Sequence, residues 1–239
     1  MFKVVRWYLF FIITQFLLLF FMVFNYINSG SDINLVNNYI SENRIYLVLI
    51  SSCIFIPLFI YNYKKLNIKT KKTSIFKFIL LGISLSLIYN FIGFYLDKLL
   101  NSNLYGNFDI ISTLLSTVLL GPIVEEYLFR GLIYNDVKNK YGLKKALIIT
   151  TILFAISHFT FIQIIYASIL NIILVKIYER YNNINYCIIV HLFSNLTTTL
   201  ITLILIKNAF IINFLIFIIG IILLFINNKL NTNWLKMVS

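Results

Sequence analysis

Charged residues and cysteines are both scarce in this chain of 239 residues. Asp, Glu, Lys and Arg make up 12% of it, against 60% hydrophobic residues. Soluble domains carry roughly 25% charged residues, so an ordinary soluble domain is excluded. The two cysteines, Cys53 and Cys187, both lie in apolar runs, which leaves neither a disulfide framework nor a Cys-x-x-Cys metal site. The zinc-protease signature His-Glu-x-x-His is also absent.

Long apolar runs fill most of the chain instead. They are centred on residues 8–27, 45–63, 76–96, 110–134, 146–160, 162–178, 184–206 and 209–226. A membrane-spanning helix needs about 20 such residues, so the sequence predicts an all-α, polytopic transmembrane helical bundle of about eight spans. The fifth and sixth runs are short. We interpret them as a hairpin with a tight turn near Thr160; the alternative is one long helix and seven spans in total.

The basic residues favour eight spans over seven. With eight spans and both termini cytoplasmic, sixteen of the twenty lysines and arginines lie on the cytoplasmic side, as the positive-inside rule requires. The net charge of +12 then reflects topology, and the expected partner is the lipid bilayer rather than nucleic acid. Heavy use of Ile, Asn, Lys, Phe and Tyr, whose codons are AT-rich, favours a bacterial source. The expected location is therefore the bacterial cell membrane.

Two acidic residues, Glu125 and Glu126, lie inside the fourth run, in the segment GPIVEEYLFRG. A charge at bilayer depth is costly and marks a functional candidate. Glu126 and Arg130 are four residues apart, in the favoured order for an ion pair on one helix face, so Glu125 points elsewhere. Pro122 removes a backbone hydrogen bond just before Glu125, and we expect a kink and a small hydrated pocket there. A purely structural ion pair is the alternative role of Glu126 and Arg130.

Both histidines of the chain, His158 and His191, also lie inside apolar runs. Helix periodicity puts Phe154 and His158 on one face, and likewise His191 and Asn195. Taken singly, each is readily explained as a packed core residue, as is Cys187. Together with Glu125, however, the histidines and Asn195 are nearly all the strongly polar side chains of the last five runs, which indicates a shared site.

These motifs resemble those of the CAAX-protease and bacteriocin-processing (CPBP, or Abi) family of intramembrane proteases. The family pattern is EExxxR, FxxxH and then HxxxN or HxxxD on separate spans. This chain reads EEYLFR at 125–130, FAISH at 154–158 and HLFSN at 191–195. The run between the two histidines lacks the glycines that are usual in the family. The resemblance implies a catalytic helical core over 109–205, three N-terminal spans within 1–108, and a C-terminal span and tail over 206–239.

The resemblance implies an intramembrane endopeptidase that cleaves a membrane-associated peptide or protein. Glu125 would act as general base on a water that His158 also holds. His191 and Asn195 would donate hydrogen bonds to the oxyanion of the tetrahedral intermediate. The supporting residues would be Glu126, Arg130 and Phe154. Zinc bound by Glu125, His158 and His191 is the alternative to metal-independent chemistry, because carboxylate and imidazole suit this metal.

Three other functions remain open. A non-proteolytic immunity or scaffold protein of the same family would not need the base. A proton- or ion-coupled transporter would also place Glu and His inside the membrane, although no paired broken helices or repeated halves appear in the sequence. A thiol protease would use Cys187 with His191. No residue of the chain selects a substrate.

Overall fold

The computed structural model describes residues 2–100, 110–158, 160–204 and 210–230, and all secondary structure within these ranges is helical. The all-α prediction is therefore confirmed. The separate helices are α1 (Phe2–Asn28), a 3₁₀ turn (Ile33–Leu35), α2 (Val36–Lys64), α3 (Phe76–Leu100), α7 (Leu143–Ile156), α8 (Phe161–Tyr181), α9 (Ile184–Ile204) and α10 (Phe210–Leu230). Between α3 and α7 lies a helical segment made of α4 (Ile110–Thr113), a π-helical stretch (Leu114–Leu120), α5 (Gly121–Glu126), a second π-helical stretch (Tyr127–Tyr134) and α6 (Asn135–Tyr141).

Seven helical segments in the described ranges are long and apolar enough to cross a membrane. They coincide with seven of the eight predicted runs, and the protein is an integral membrane protein. The remaining run forms α7, which has 14 residues and rises only about 21 Å, less than the roughly 30 Å of the hydrocarbon core. Residue 157 begins a turn after α7 ends at Ile156, and α8 begins anew at Phe161, so the alternative of one long helix is wrong. The orientation of the termini stays a prediction.

The described chain forms two compact units, and the first comprises residues 2–67 and 110–146. Aromatic rings build its core. Phe55 and Phe59 of α2 are fully buried, and Phe11 and Trp7 of α1 pack edge-on against them with centroids 5.0 and 6.0 Å away. Edge-to-face packing of this kind is favourable beyond the area it buries. The 110–141 segment joins the same core, because the ring of Phe129 lies 6.0 Å from that of Tyr8.

The second unit comprises residues 68–100, 147–158, 160–204 and 210–230. Helix α3 contacts both α9 and α10 along its length, and a glycine marks each close approach. A Cβ added to Gly82 would lie 2.5 Å from the carbonyl oxygen of Val190 on α9, and one added to Gly220 on α10 would lie 2.8 Å from Cβ of Leu87. Small residues allow this backbone proximity between membrane helices. Gly82 determines which face of α3 lies against α9, and Gly220 determines which face of α10 lies against α3.

Candidate active site

A change of helical hydrogen bonding comes directly before the GPIVEE sequence. The backbone N–H of Gly121 donates to the carbonyl of Ser116, five residues earlier, which is the π-helical pattern rather than the α-helical one. Pro122, the second residue of α5, then has no N–H to donate. The sequence predicts an irregularity at Pro122, and the observed one is a π-helical stretch that ends at Leu120. Such stretches are frequent at functional sites.

Gly121 allows the close backbone approach in the turn before Glu125. A Cβ built on Gly121 would lie 2.9 Å from the carbonyl oxygen of Ser116 and 3.7 Å from Oε1 of Glu125. The first distance is too short for a real side chain, so any other residue at 121 would displace the backbone of this turn. Our sequence reasoning missed Gly121. Its signal was a glycine next to proline, one helical turn before a membrane-embedded acid.

Glu126 and Arg130 form the predicted ion pair. Nη1 of Arg130 lies 3.0 Å from Oε1 of Glu126, and both side chains are 0% exposed. Arg130 belongs to the second π-helical stretch, where side chain Nδ2 of Asn135 donates to the carbonyls of Arg130 at 2.9 Å and Gly131 at 2.8 Å. Asn135 thereby satisfies carbonyls at the end of the irregular stretch. The pair and this cap fix the helical turns around Glu125, which is itself half-buried.

In the second unit, Phe154 contacts both imidazole rings. Its side chain is fully buried, and the ring centroids of His158 and His191 lie 5.2 and 5.8 Å from its own. His191 is buried on α9. His158 lies in the turn two residues after α7 ends at Ile156, so the prediction that it lies within a spanning helix needs correction. The backbone N–H of His158 donates to the carbonyl of Ala155, three residues earlier, and the α-helical pattern does not continue to the end of the apolar run.

The turn geometry determines which nitrogen of His158 is available. Nδ1 lies 2.8 Å from the carbonyl oxygen of Phe154. A carbonyl can only accept, so Nδ1 carries the proton and Nε2 of the neutral imidazole keeps its lone pair. Nε2 can then accept a hydrogen bond from a water or coordinate a metal. The α7–α8 turn is stabilised by a capping box, in which Oγ1 of Thr160 accepts from the N–H of Gln163 at 3.2 Å.

Helix α9 carries His191 and Asn195 one turn apart. Asn195 is half-buried. One turn before His191, Cys187 is fully buried and its Sγ donates to the carbonyl of Leu174 on α8 at 3.4 Å. Cys187 thus serves the packing of α9 against α8, as its small apolar character indicates.

The three motifs fall within a segment that matches a known protein family. Residues 107–197 match the family model described as type II CAAX prenyl endopeptidase Rce1-like. This segment is similar to the CAAX protease family. The match covers less than half of the chain, and the three N-terminal spans lie outside it. No curated protein and no solved structure matches the chain.

The predicted site residues of the matched segment lie in both units. Glu125, Glu126 and Arg130 lie in the first, whereas the histidines, Phe154 and Asn195 lie in the second. The joint action of Glu125 with the histidines stays a prediction. Among the described residues of either unit taken by itself, no three His, Cys, Asp or Glu side chains gather as metal ligands. The zinc alternative likewise stays a prediction.

One polar pair of this segment escaped the sequence reasoning. The hydroxyl of Tyr166 on α8 is hydrogen-bonded to Oγ of Ser194 on α9. Ser194 lies inside the HLFSN motif, and a serine there carried no signal by itself. A helical wheel of α9 puts Ser194 on one face with His191 and Asn195, but it does not reveal the partner on α8.

Proposed function

We propose that this protein is an intramembrane endopeptidase that cleaves a membrane-associated peptide or protein substrate. Glu125 is the general base that removes a proton from a water, and Nε2 of His158 accepts a hydrogen bond from the same water. The hydroxide attacks the peptide carbonyl. His191 and Asn195 then donate hydrogen bonds to the oxyanion that forms, and Glu125 returns the proton to the leaving amine. The source we propose is bacterial, with the protein in the cell membrane and without a nucleic-acid partner.

The observation that carries this proposal is the placement of both imidazoles on one buried phenylalanine. Phe154 is apolar and fully buried, so it lowers the local polarity and limits the positions that the two rings can take. Two histidines that serve only as core residues need not share a neighbour, whereas one reaction needs them close together. The match of residues 107–197 to a CAAX endopeptidase family supports the same assignment independently.

The Glu126–Arg130 pair supports this chemistry by orientation. A buried pair at 3.0 Å holds its helical turn in one conformation, because separating the charges inside the membrane is costly. Glu125 is the neighbour of Glu126 in the sequence, and its side chain leaves the helix about 100° away. We therefore assign Glu126 and Arg130 to positioning and Glu125 to the reaction.

The test is cleavage of a lipid-anchored peptide by the full chain in liposomes. A prenylated peptide with a CAAX terminus is the first probe, since the matched family is described by that substrate, and an unprenylated membrane-anchored reporter is the second. Glu125→Gln and His158→Ala should each reduce cleavage of the accepted probe by about 10³-fold or more, since they remove the base and its partner on the water. Glu42→Gln, an exposed acid on α2, is the matched control and should cleave normally.

Two results would redirect the assignment. Full cleavage by Glu125→Gln would remove the general base from the proposal, and biological complementation by that variant without any cleavage would favour the immunity or scaffold function. The zinc alternative is tested separately by the metal content of the purified protein. Stoichiometric zinc that is lost in His158→Ala and His191→Ala would show that these imidazoles are ligands, and zinc would then supply Lewis-acid activation of the water.

A further inference from the structure

Helix α9 has one continuous polar face that extends beyond the catalytic motif. Ser194 and Asn195 follow His191 by three and four residues, and Thr198 and Thr202 continue the same face at the spacing of one helical turn. Ser194 is fully buried and the others are buried or half-buried. A polar face within membrane helices is stabilised by hydrogen bonds to neighbouring helices. These bonds determine the direction in which His191 and Asn195 point.

The first of these bonds comes from α8. Tyr166 reaches Ser194 with its hydroxyl, and its ring stacks on Tyr89 of α3 with centroids 3.9 Å apart and planes 26° apart. The stack leaves the ring of Tyr166 little freedom, so its hydroxyl is held at a fixed point beside α9. Ser194 is the residue directly before Asn195.

The second bond comes from α3, one turn further along α9. Oγ1 of Thr198 lies 2.8 Å from Oγ of Ser86, and Nδ2 of Asn90 donates to Oγ1 of Thr198 at 3.1 Å and to Oγ of Ser86 at 3.0 Å. Ser86 and Asn90 are fully buried. Ser194 and Thr198, which lie on either side of Asn195 along the helix, are therefore bonded to α8 and α3 respectively. Rotation of α9 about its axis would break both.

We propose that Tyr166 and Ser194 are positioning residues that fix the rotation of α9 and so aim His191 and Asn195 at the oxyanion. This inference rests on the proposed peptidase function. A rotation of about 10° moves a side-chain tip about 6 Å from the helix axis by roughly 1 Å, and a misplacement of that size costs about 10²-fold in rate. Tyr166 touches no reacting atom. It acts through Ser194, with Tyr89 holding its ring.

Kinetics with the accepted probe test the proposal. Tyr166→Phe keeps the ring and its stack on Tyr89 but loses the hydroxyl, and it should lower kcat about 10- to 100-fold with KM unchanged within about twofold. Ser194→Ala should do the same, and the double variant should be no slower than the slower single one, because both remove the same bond. Tyr186→Phe is the matched control: it removes another tyrosine hydroxyl of α9, bonded to the backbone of Thr73, and should leave kcat essentially unchanged.

A second measurement needs no activity. The chain has only two histidines, so ¹⁵N-histidine labelling gives two imidazole spectra, and His158→Gln leaves that of His191 alone. Tyr166→Phe should shift the His191 signals, whereas Tyr186→Phe should not. Unchanged His191 signals, or a kcat for Tyr166→Phe equal to that of Tyr186→Phe, would overturn the proposal. If Tyr166→Phe shifts the His191 signals but the wild-type protein cleaves neither probe, the positioning role is supported while the peptidase assignment fails.

Discussion

Replacing Glu126 by glutamine tests how much stability the buried ion pair contributes. The change leaves the guanidinium of Arg130 in a site that is 0% exposed, without the carboxylate that lies 3.0 Å away. Breaking a buried pair in this way costs about 3–5 kcal/mol. At about 2–4 °C per kcal/mol for a chain of this size, the unfolding temperature should fall by roughly 6–20 °C. Arg130→Met should be milder, because a lone carboxylate can bind a proton whereas a guanidinium stays charged.

The assay is thermal unfolding of the purified protein in one detergent. Unfolding is measured as the loss of the folded protein's peak on size-exclusion chromatography after heating. Glu42→Gln serves as the control for removal of a carboxylate. The double variant Glu126→Gln/Arg130→Met removes both charges and should recover at least about 2 kcal/mol relative to the sum of the single losses. If Glu126→Gln melts within about 1–2 °C of the control, equivalent to about 0.5 kcal/mol or less, or if the single losses simply add, the pair does not stabilise the fold as we argue.

Three further predictions concern the second unit. Gly82→Ala should lower the unfolding temperature by an amount equivalent to about 1–3 kcal/mol, because its methyl group would meet the backbone of Val190 at 2.5 Å; unchanged melting would show that α3 and α9 can separate there. Asn195→Ala should reduce kcat about 10²–10³-fold, the loss expected for one oxyanion donor, with KM unchanged; a change confined to KM would assign Asn195 to substrate binding. Cys187→Ser should retain activity within about threefold, since a hydroxyl can also donate to Leu174; complete loss would revive the thiol protease.

The positions of the spanning helices were predictable because a helix that crosses a bilayer needs a long run of apolar residues, and such runs are visible in the sequence. Seven apolar runs became helices of spanning length where the sequence placed them. The sequence predicted too late an end for the fifth run, 146–160, because α7 ends at Ile156. Hydropathy averages over Ser157 and His158 and does not detect that the chain turns there. The Glu126–Arg130 pair was also predictable, because its geometry depends only on spacing within one helix.

Features that depend on hydrogen-bond pattern or on contacts between helices were not predictable. The π-helical stretches around GPIVEE use the same residue types as an α-helix, and only the partner of each N–H differs. The bond between Tyr166 and Ser194 joins residues 28 positions apart, so it depends on how α8 and α9 rotate against each other. The shared contact of both imidazoles with Phe154 has the same origin: the FxxxH spacing predicts half of it, and the approach of His191 comes from packing.

The central claim is that Glu125 activates the water that cleaves a peptide at the membrane. The most direct test compares the peptide termini in membranes of cells that express either the wild-type chain or Glu125→Gln at equal abundance, because this comparison detects cleavage of any membrane substrate. We expect a set of new termini near membrane anchors that appears with the wild-type protein and is absent with Glu125→Gln. An identical set of termini in both membranes would contradict the claim.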